Sequence, residues 1–359
     1  MRGTLRHFQG SLAVTVGGLA LGAWLGWNQG RGWAGVGATV FIVAVLAVLE
    51  ISISFDNAVV NATVLKTMTP VWRHRFLTWG IAIAVFGMRL VFPLLVVSTV
   101  ARMSPAEALR LALVDPPEYA RILGSAHHLL GAFGGTFLGL VCLRFFFNSE
   151  KDVHWIRWLE RRLAKLGRIR AVELGLMLVV VLVFSQYVGD AEDHAFLAAG
   201  VLGVITYIAV DGFGAIMEQF SENAGNVVRA GFASFLYLEV LDASFSFDGV
   251  IGAFALTNDL LVITIGLGIG AMFVRSLTVM LVEREAFDSF RYLEHGAFWA
   301  IGALAILMFA GVVVDVPEVV TGLVGAVLIG LSLWSSVRYQ ARQEKKRLGT
   351  PPGSSNGAG

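Results

Sequence analysis

Apolar residues run along this chain in long blocks, not in the short alternations of strands or the one-sided stripes of soluble helices. A helix needs roughly 20 mainly apolar residues to cross a bilayer. Ten blocks approach that length: 11–28, 35–60, 77–101, 127–147, 172–188, 195–217, 232–256, 260–282, 297–314 and 320–337. The pattern predicts an all-α polytopic membrane protein of about ten transmembrane helices. Arg2 and Arg6 precede the first block as in a cleavable signal, but no small-residue cleavage site follows Trp24 and Trp27, so it is read as a retained span. Between the fourth and fifth blocks, Trp155, Trp158/Leu159, Leu163 and Leu166 recur at helical spacing among basic residues. Such a stripe suits a helix in the headgroup layer or a solvated linker helix.

Composition agrees with the pattern. The 359 residues are 56% hydrophobic and 15% charged, against about 25% charged in a soluble domain, and mean hydropathy is +0.73. A net charge of +1 argues against a nucleic-acid partner, and one cysteine, Cys142, excludes an intrachain disulfide framework. The distribution of charge says more than its sum. Basic loops stay on the cytoplasmic side, and with both termini inside, 20 of the 27 Lys and Arg residues are cytoplasmic. Only Arg31, Arg102, Arg110 and Arg121 fall outside, while Arg89, Arg144 and Arg275 lie within spans. The expected location is a bacterial cytoplasmic membrane.

A repeat lies within the blocks. Leu49-Glu50-Ile-Ser52-Ile-Ser54-Phe-Asp56 matches Leu241-Asp242-Ala-Ser244-Phe-Ser246-Phe-Asp248 without gaps. In the block after each copy, Gly80 precedes Arg89 by nine residues, as Gly266 precedes Arg275. His128 and Gly135 then match His295 and Gly302. The motifs occupy the second and seventh spans, five steps apart along the chain, and this odd step makes the second copy cross the bilayer in the opposite direction, the inverted repeat that many transporters build around a midplane site. The organisation that follows is an N-terminal span and loop (1–34), a first three-helix unit (35–147), a basic amphipathic connection (148–171), linking spans (172–231) and a second, inverted unit (232–314). A last span (315–337) and a basic, then disordered, tail (338–359) complete it.

Six acids lie inside apolar blocks: Glu50, Asp56, Asp211, Glu239, Asp242 and Asp248. Each ionised side chain at the hydrocarbon centre costs roughly 3 kcal/mol, more than helix contact requires, since Ser or Thr would serve for that. Carboxylates with Asn57 and the hydroxyls of Ser52, Ser54, Ser244 and Ser246 form a hard, oxygen-rich donor set suited to Mn²⁺, Mg²⁺ or Ca²⁺. Arg89 and Arg275 are the available counter-charges, neutralising the empty site as a functional device or as structural ion pairs. Glu50 and Asp56 cannot face one point on a straight helix, so either the helix opens near Ser54–Asn57 or the two serve different states of a cycle. Gly249 favours a similar break in the second copy. Asp211, His128 and His295 are candidates for a gate or proton path, set against plain interface roles.

At these residues the sequence resembles the TerC superfamily, named for tellurium resistance, whose halves carry Leu-Glu-x-x-x-Ser-x-Asp-Asn and Glu-x-x-Asp-x-x-x-x-x-Asp. Here these are Leu49-Glu50 through Asp56-Asn57 and Glu239-Val-Leu-Asp242 through Asp248. Gly249 stands where the family usually has Ser, and the spans are more numerous than is usual there. The resemblance implies metal-ion export, with Mn²⁺ as the best-supported substrate, no prosthetic group, and Glu50, Asp56, Glu239, Asp242 and Asp248 as the metal carboxylates. The expectation is a secondary transporter working by alternating access with proton antiport, not an enzyme: a phosphate-binding loop and the paired motifs of an intramembrane aspartyl protease are both missing. The alternative is a membrane scaffold or metal-delivery protein in tellurite or envelope-stress responses or in metalation of secreted enzymes. The sequence leaves the oligomeric state open.

Overall fold

The computed structural model describes residues 2–28, 32–169, 171–189, 192–224, 227–284, 289–314 and 316–349, and of residues 2–7, 77, 81, 214–224, 227–230, 246–248, 251, 255, 318–319 and 344–349 the backbone alone. Helices occupy nearly all of this, with no strand among the described residues. The first span is α1 (Arg2–Gly26). The second is divided into α2 (Gly32–Ile53) and α3 (Phe55–Leu65). The third joins α4 (Pro70–Ala82), a π-helical segment (Ile83–Val91) and α5 (Phe92–Val100). Two short helices, α6 (Pro105–Val114) and α7 (Pro116–Ser125), lead into α8 (His127–Phe147). The connection holds α9 (Arg157–Leu166), followed by α10 (Val172–Ser185), α11 (Asp193–Ala224), α12 (Val227–Leu256) and α13 (Leu260–Glu283). The chain ends with α14 (Leu293–Ala310) and α15 (Glu318–Gly349).

Eight helices among the described residues are long and apolar enough to span a bilayer. The fifth block forms only the 14-residue α10, while the seventh lies in the 30-residue α12 that carries Glu239, Asp242 and Asp248. The chain is an all-α polytopic integral membrane protein. Its exterior suits hydrocarbon: Phe41, Trp79, Phe86 and Ile306 are each at least 60% exposed, a pattern that would aggregate in water.

The two three-helix units interlock. The α2–α3 segment packs on α13, and the equivalent α12 packs on α4 and the π segment. Helix α3 touches α14 as α12 touches α8, and α8 lies along α14. These main contacts between the units come in matched pairs, as expected of related units joined about a pseudo-two-fold axis. The most buried of the spanning helices are α13, α8 and α14, while α1 is the least buried. At one end, Ser104 and Glu107 form a capping box that starts α6. Asp115 accepts from the Glu118 N–H to start α7, and α7 inserts Tyr119 against Phe254, ring centroids 5.8 Å apart.

Candidate functional site

The helix break lies in the first motif. Ser54 leaves helical geometry (φ −91°, ψ 18°), separating α2 from α3, while its hydroxyl donates to Glu50 Oε1 at 3.0 Å. Beyond the break, Asp56 occupies the first turn of α3 and its carboxylate accepts the Asn57 N–H at 2.9 Å. A fresh helix N-terminus stabilises a carboxylate placed there. The break predicted at Gly249 is absent: α12 runs through it without interruption. Gly249 is instead a point of close approach, where an added Cβ would lie 3.2 Å from Glu50 Oε2 of the other unit.

Two motifs from distant stretches of chain meet at this place. Asn57 Nδ2 donates to Asp242 Oδ1 at 2.8 Å, and Asn61 Nδ2 lies 3.4 Å from the same oxygen. Glu50 is ion-paired with Arg89, whose guanidinium also donates to the Ala84 carbonyl within the π segment. A π turn widens the backbone locally and recurs at functional sites; here it brings a carbonyl and the arginine together. Arg275 lies 3.8 Å from Glu239 Oε1, donates to the Phe76 carbonyl at 2.8 Å and rests 3.9 Å from the Phe76 ring centroid. Gly80 makes room for that pair, since a Cβ there would sit 2.6 Å from Glu239 Oε1. Each arginine therefore pairs with an acid of its own unit.

Glu50, Asp242 and Asp56 are divided between two small spaces, neither of which Glu239 lines. One, about 10 Å³, is lined by Glu50, Asn57, Asn61, Arg89, Asp242 and Arg275. The other, about 20 Å³, is lined by Asp56 with Ser54, Asn57, Thr321 and Gly322. Asn57 borders both. Even with the helix opened, Glu50 and Asp56 point to different spaces, and no three His, Cys, Asp or Glu side chains among the described residues converge closely enough to share an ion. The amide oxygens of Asn57 and Asn61 and both oxygens of Glu239 are buried without a hydrogen-bond donor, an arrangement costly enough to need a reason.

Other expected residues lie elsewhere. Ser52 does not join the donor set: it is exposed on α2 and bonds back to the Val48 carbonyl at 2.8 Å. Ser244 is buried and bonds to the Val240 carbonyl at 2.9 Å. The side chains of Asp248 and Ser246 lie outside the described residues. Asp211 is exposed and lines a separate cavity of about 580 Å³ with Arg144, Lys151, Glu173, Tyr207 and Tyr237. Neither histidine borders the acid-lined spaces. His128 faces His127 edge-on at 6.0 Å, and His295 bonds to the Val153 carbonyl at 2.8 Å, 3.6 Å from Glu160. The close approach of the last helix was not anticipated. Gly322 and Gly325 bring α15 against the break, where a Cβ at Gly325 would lie 2.5 Å from Asp56 Oδ2. Their three-residue spacing in an apolar span is the signal that could have shown it.

Residues 55–343 match the model of a family described as a protein of unknown function (DUF475). The chain belongs to that family. The DUF475 match opens at Phe55, the first residue of α3, so it includes Asp56, Asn57, Asn61, both arginines and the second motif but not Glu50. Neither a curated protein nor a solved structure matches the chain.

Proposed function

We propose that this protein is a secondary transporter exporting a divalent metal cation, foremost Mn²⁺, by alternating access with proton antiport, and that it is a divergent member of the TerC superfamily. The observation that carries this reading is the junction of the motifs, where Asn57 and Asn61 of one unit hold Asp242 of the other. Glu50, Asp242 and the two amide oxygens supply hard donors of the kind Mn²⁺ and Mg²⁺ accept. Arg89 and Arg275 neutralise the acids while the cation is absent, and entry of the cation displaces Arg89 from Glu50. An inward-negative potential opposes cation exit by about 2.3 kcal/mol per charge per 100 mV, so counter-movement of protons supplies the drive. The basic bias of the loops supports a bacterial cytoplasmic membrane with both termini inside.

Purified protein in proteoliposomes tests this directly. Mn²⁺ flux should appear on imposing a proton gradient, and Asp242→Asn and Asp56→Asn should each bring it to background while the protein still inserts. Absence of Mn²⁺ flux from the unmodified protein would overturn the transport reading in favour of the scaffold. Flux indifferent to the proton gradient would remove the antiport.

A further inference from the structure

Helix α9 roofs an apolar cavity of about 670 Å³ set among α8, α10, α14 and α15. Leu159 and Leu163 of α9 line it, with Phe146, Met177, Ile306 and Leu328 on its walls. Its volume lies within the range of roughly 300–1,000 Å³ typical of ligand sites. Water has little to bond to in such a space and is not held by it.

The same helix is cationic on its opposite arc. Leu159 and Leu163 stand four residues apart on the cavity side, whereas Arg157, Arg161, Arg162 and Lys165 are exposed and, among the described residues, without an ion-pair partner. Trp158 is 64% exposed beside them, with the Arg162 guanidinium 5.4 Å from its ring centroid. A tryptophan flanked by arginines marks the headgroup level of a bilayer.

The helix is fixed in this position. Glu160 is 4% exposed and turned inward, where it accepts from the Trp155 and Ile156 N–H groups and from Trp299 Nε1, each at 3.1 Å. Trp155 Nε1 donates to Ser335 of α15 at 3.1 Å. The only acid of α9 is thus occupied internally, leaving its outer arc purely cationic. The basic arc and the apolar cavity thus lie on two sides of one fixed amphipathic helix, the cationic side outward and the apolar side over the cavity.

We propose that this cavity takes an acyl chain of an anionic phospholipid, with the phosphate held by the basic arc of α9. The occupant is a lipid and not a soluble apolar molecule because the charge lies at the roof and the cavity extends away from it between spanning helices. The inference is independent of the transport reading.

The test uses full-length protein in nanodiscs of phosphatidylcholine with and without phosphatidylglycerol. Phosphatidylglycerol should raise the thermal unfolding midpoint, and native mass spectrometry should find it retained in preference to phosphatidylcholine. Arg161→Glu with Arg162→Glu, both on the exposed arc, should lower that preference about tenfold, leaving chain retention intact. Ala303→Trp, which fills the cavity, should abolish retention of either lipid. Equal retention of the two lipids by the unmodified protein, or none, would overturn the proposal. So would an unchanged preference in the double charge reversal, or a chain dimer that Ala303→Trp dissociates without loss of lipid.

Discussion

The two copies of the acid-Ser-Phe-Asp motif are nearly the same in sequence and different in structure. In the first, the helix opens at Ser54, Glu50 is bound by both Ser54 and Arg89, and Asp56 begins a new helix against α15. In the second, α12 is continuous, Glu239 has only a 3.8 Å contact with Arg275, and Asp242 is satisfied from the other unit by Asn57. The repeat thus delivers equivalent groups to one junction, but what each group pairs with depends on its neighbours. Gly322 and Gly325 let the last helix press on the first copy, whereas Gly134 of α8 lies near the second.

The two arginines differ most in how tightly they hold their acids. Arg89→Ala leaves Glu50 as an uncompensated buried charge and should cost about 3–5 kcal/mol. Arg275→Ala, removing a looser contact, should cost less. Thermal and denaturant unfolding in detergent would measure both, and an equal loss would mean that the copies are electrostatically alike. Next in size, Gly325→Val drives a side chain toward Asp56 and should cost about 1–3 kcal/mol by overpacking. Gly249→Ala, with 3.2 Å available to the Glu50 carboxylate, should cost less, which sets close approach in the first copy against that in the second. Ser54→Ala removes a hydrogen bond to a carboxylate and should destabilise by about 1.5–3 kcal/mol, partly offset by a better helix former at the break; Ser244→Ala, losing only a bond back to its own helix, should change little.

A smaller, pH-dependent effect lies outside both copies. Burial lowers the Lys151 ammonium from 10.5 to about 7, with Glu294 and Glu160 pulling the other way, and its Nζ sits over the Phe145 ring without a hydrogen-bond partner. Above pH 7 the unfolded chain binds the proton that the folded one has released, so stability rises with pH from about 7 toward 10.5. Lys151→Met should therefore raise the unfolding midpoint most at pH 6 and progressively less at higher pH. A gain that does not vary with pH would show that packing, not charge, is responsible.

Much of the scaffold was legible because its causes are local. Apolar blocks fall on helices, and the cost of placing an acid in hydrocarbon singled out Glu50, Asp56, Glu239 and Asp242, all of them buried. The nine-residue step from Gly80 to Arg89 and from Gly266 to Arg275 picked out the two arginines that pair with those acids. The family match spans 55–343 and so takes in most of both units.

Other features were not legible, and each depends on a distant partner. Gly249 looked like a breaker because glycine weakens a helix, but the space it provides is used by Glu50. Ser52 was counted among the donor hydroxyls, yet it faces outward from α2, on the other side of the turn at Ser54 from Asp56. His295 matched His128 in spacing yet belongs with Val153 and Glu160 of the connection. Which segments are apolar enough for hydrocarbon, and which charges they carry, could be read from the chain alone, because transfer free energy is a property of each segment. An opening near Ser54 was among the readings of the motif itself, but which space each acid faces and which donors it keeps follow from tertiary packing alone. Those outcomes depend on how closely helices far apart in sequence approach, and the residues that set the distance lie on the opposing helix.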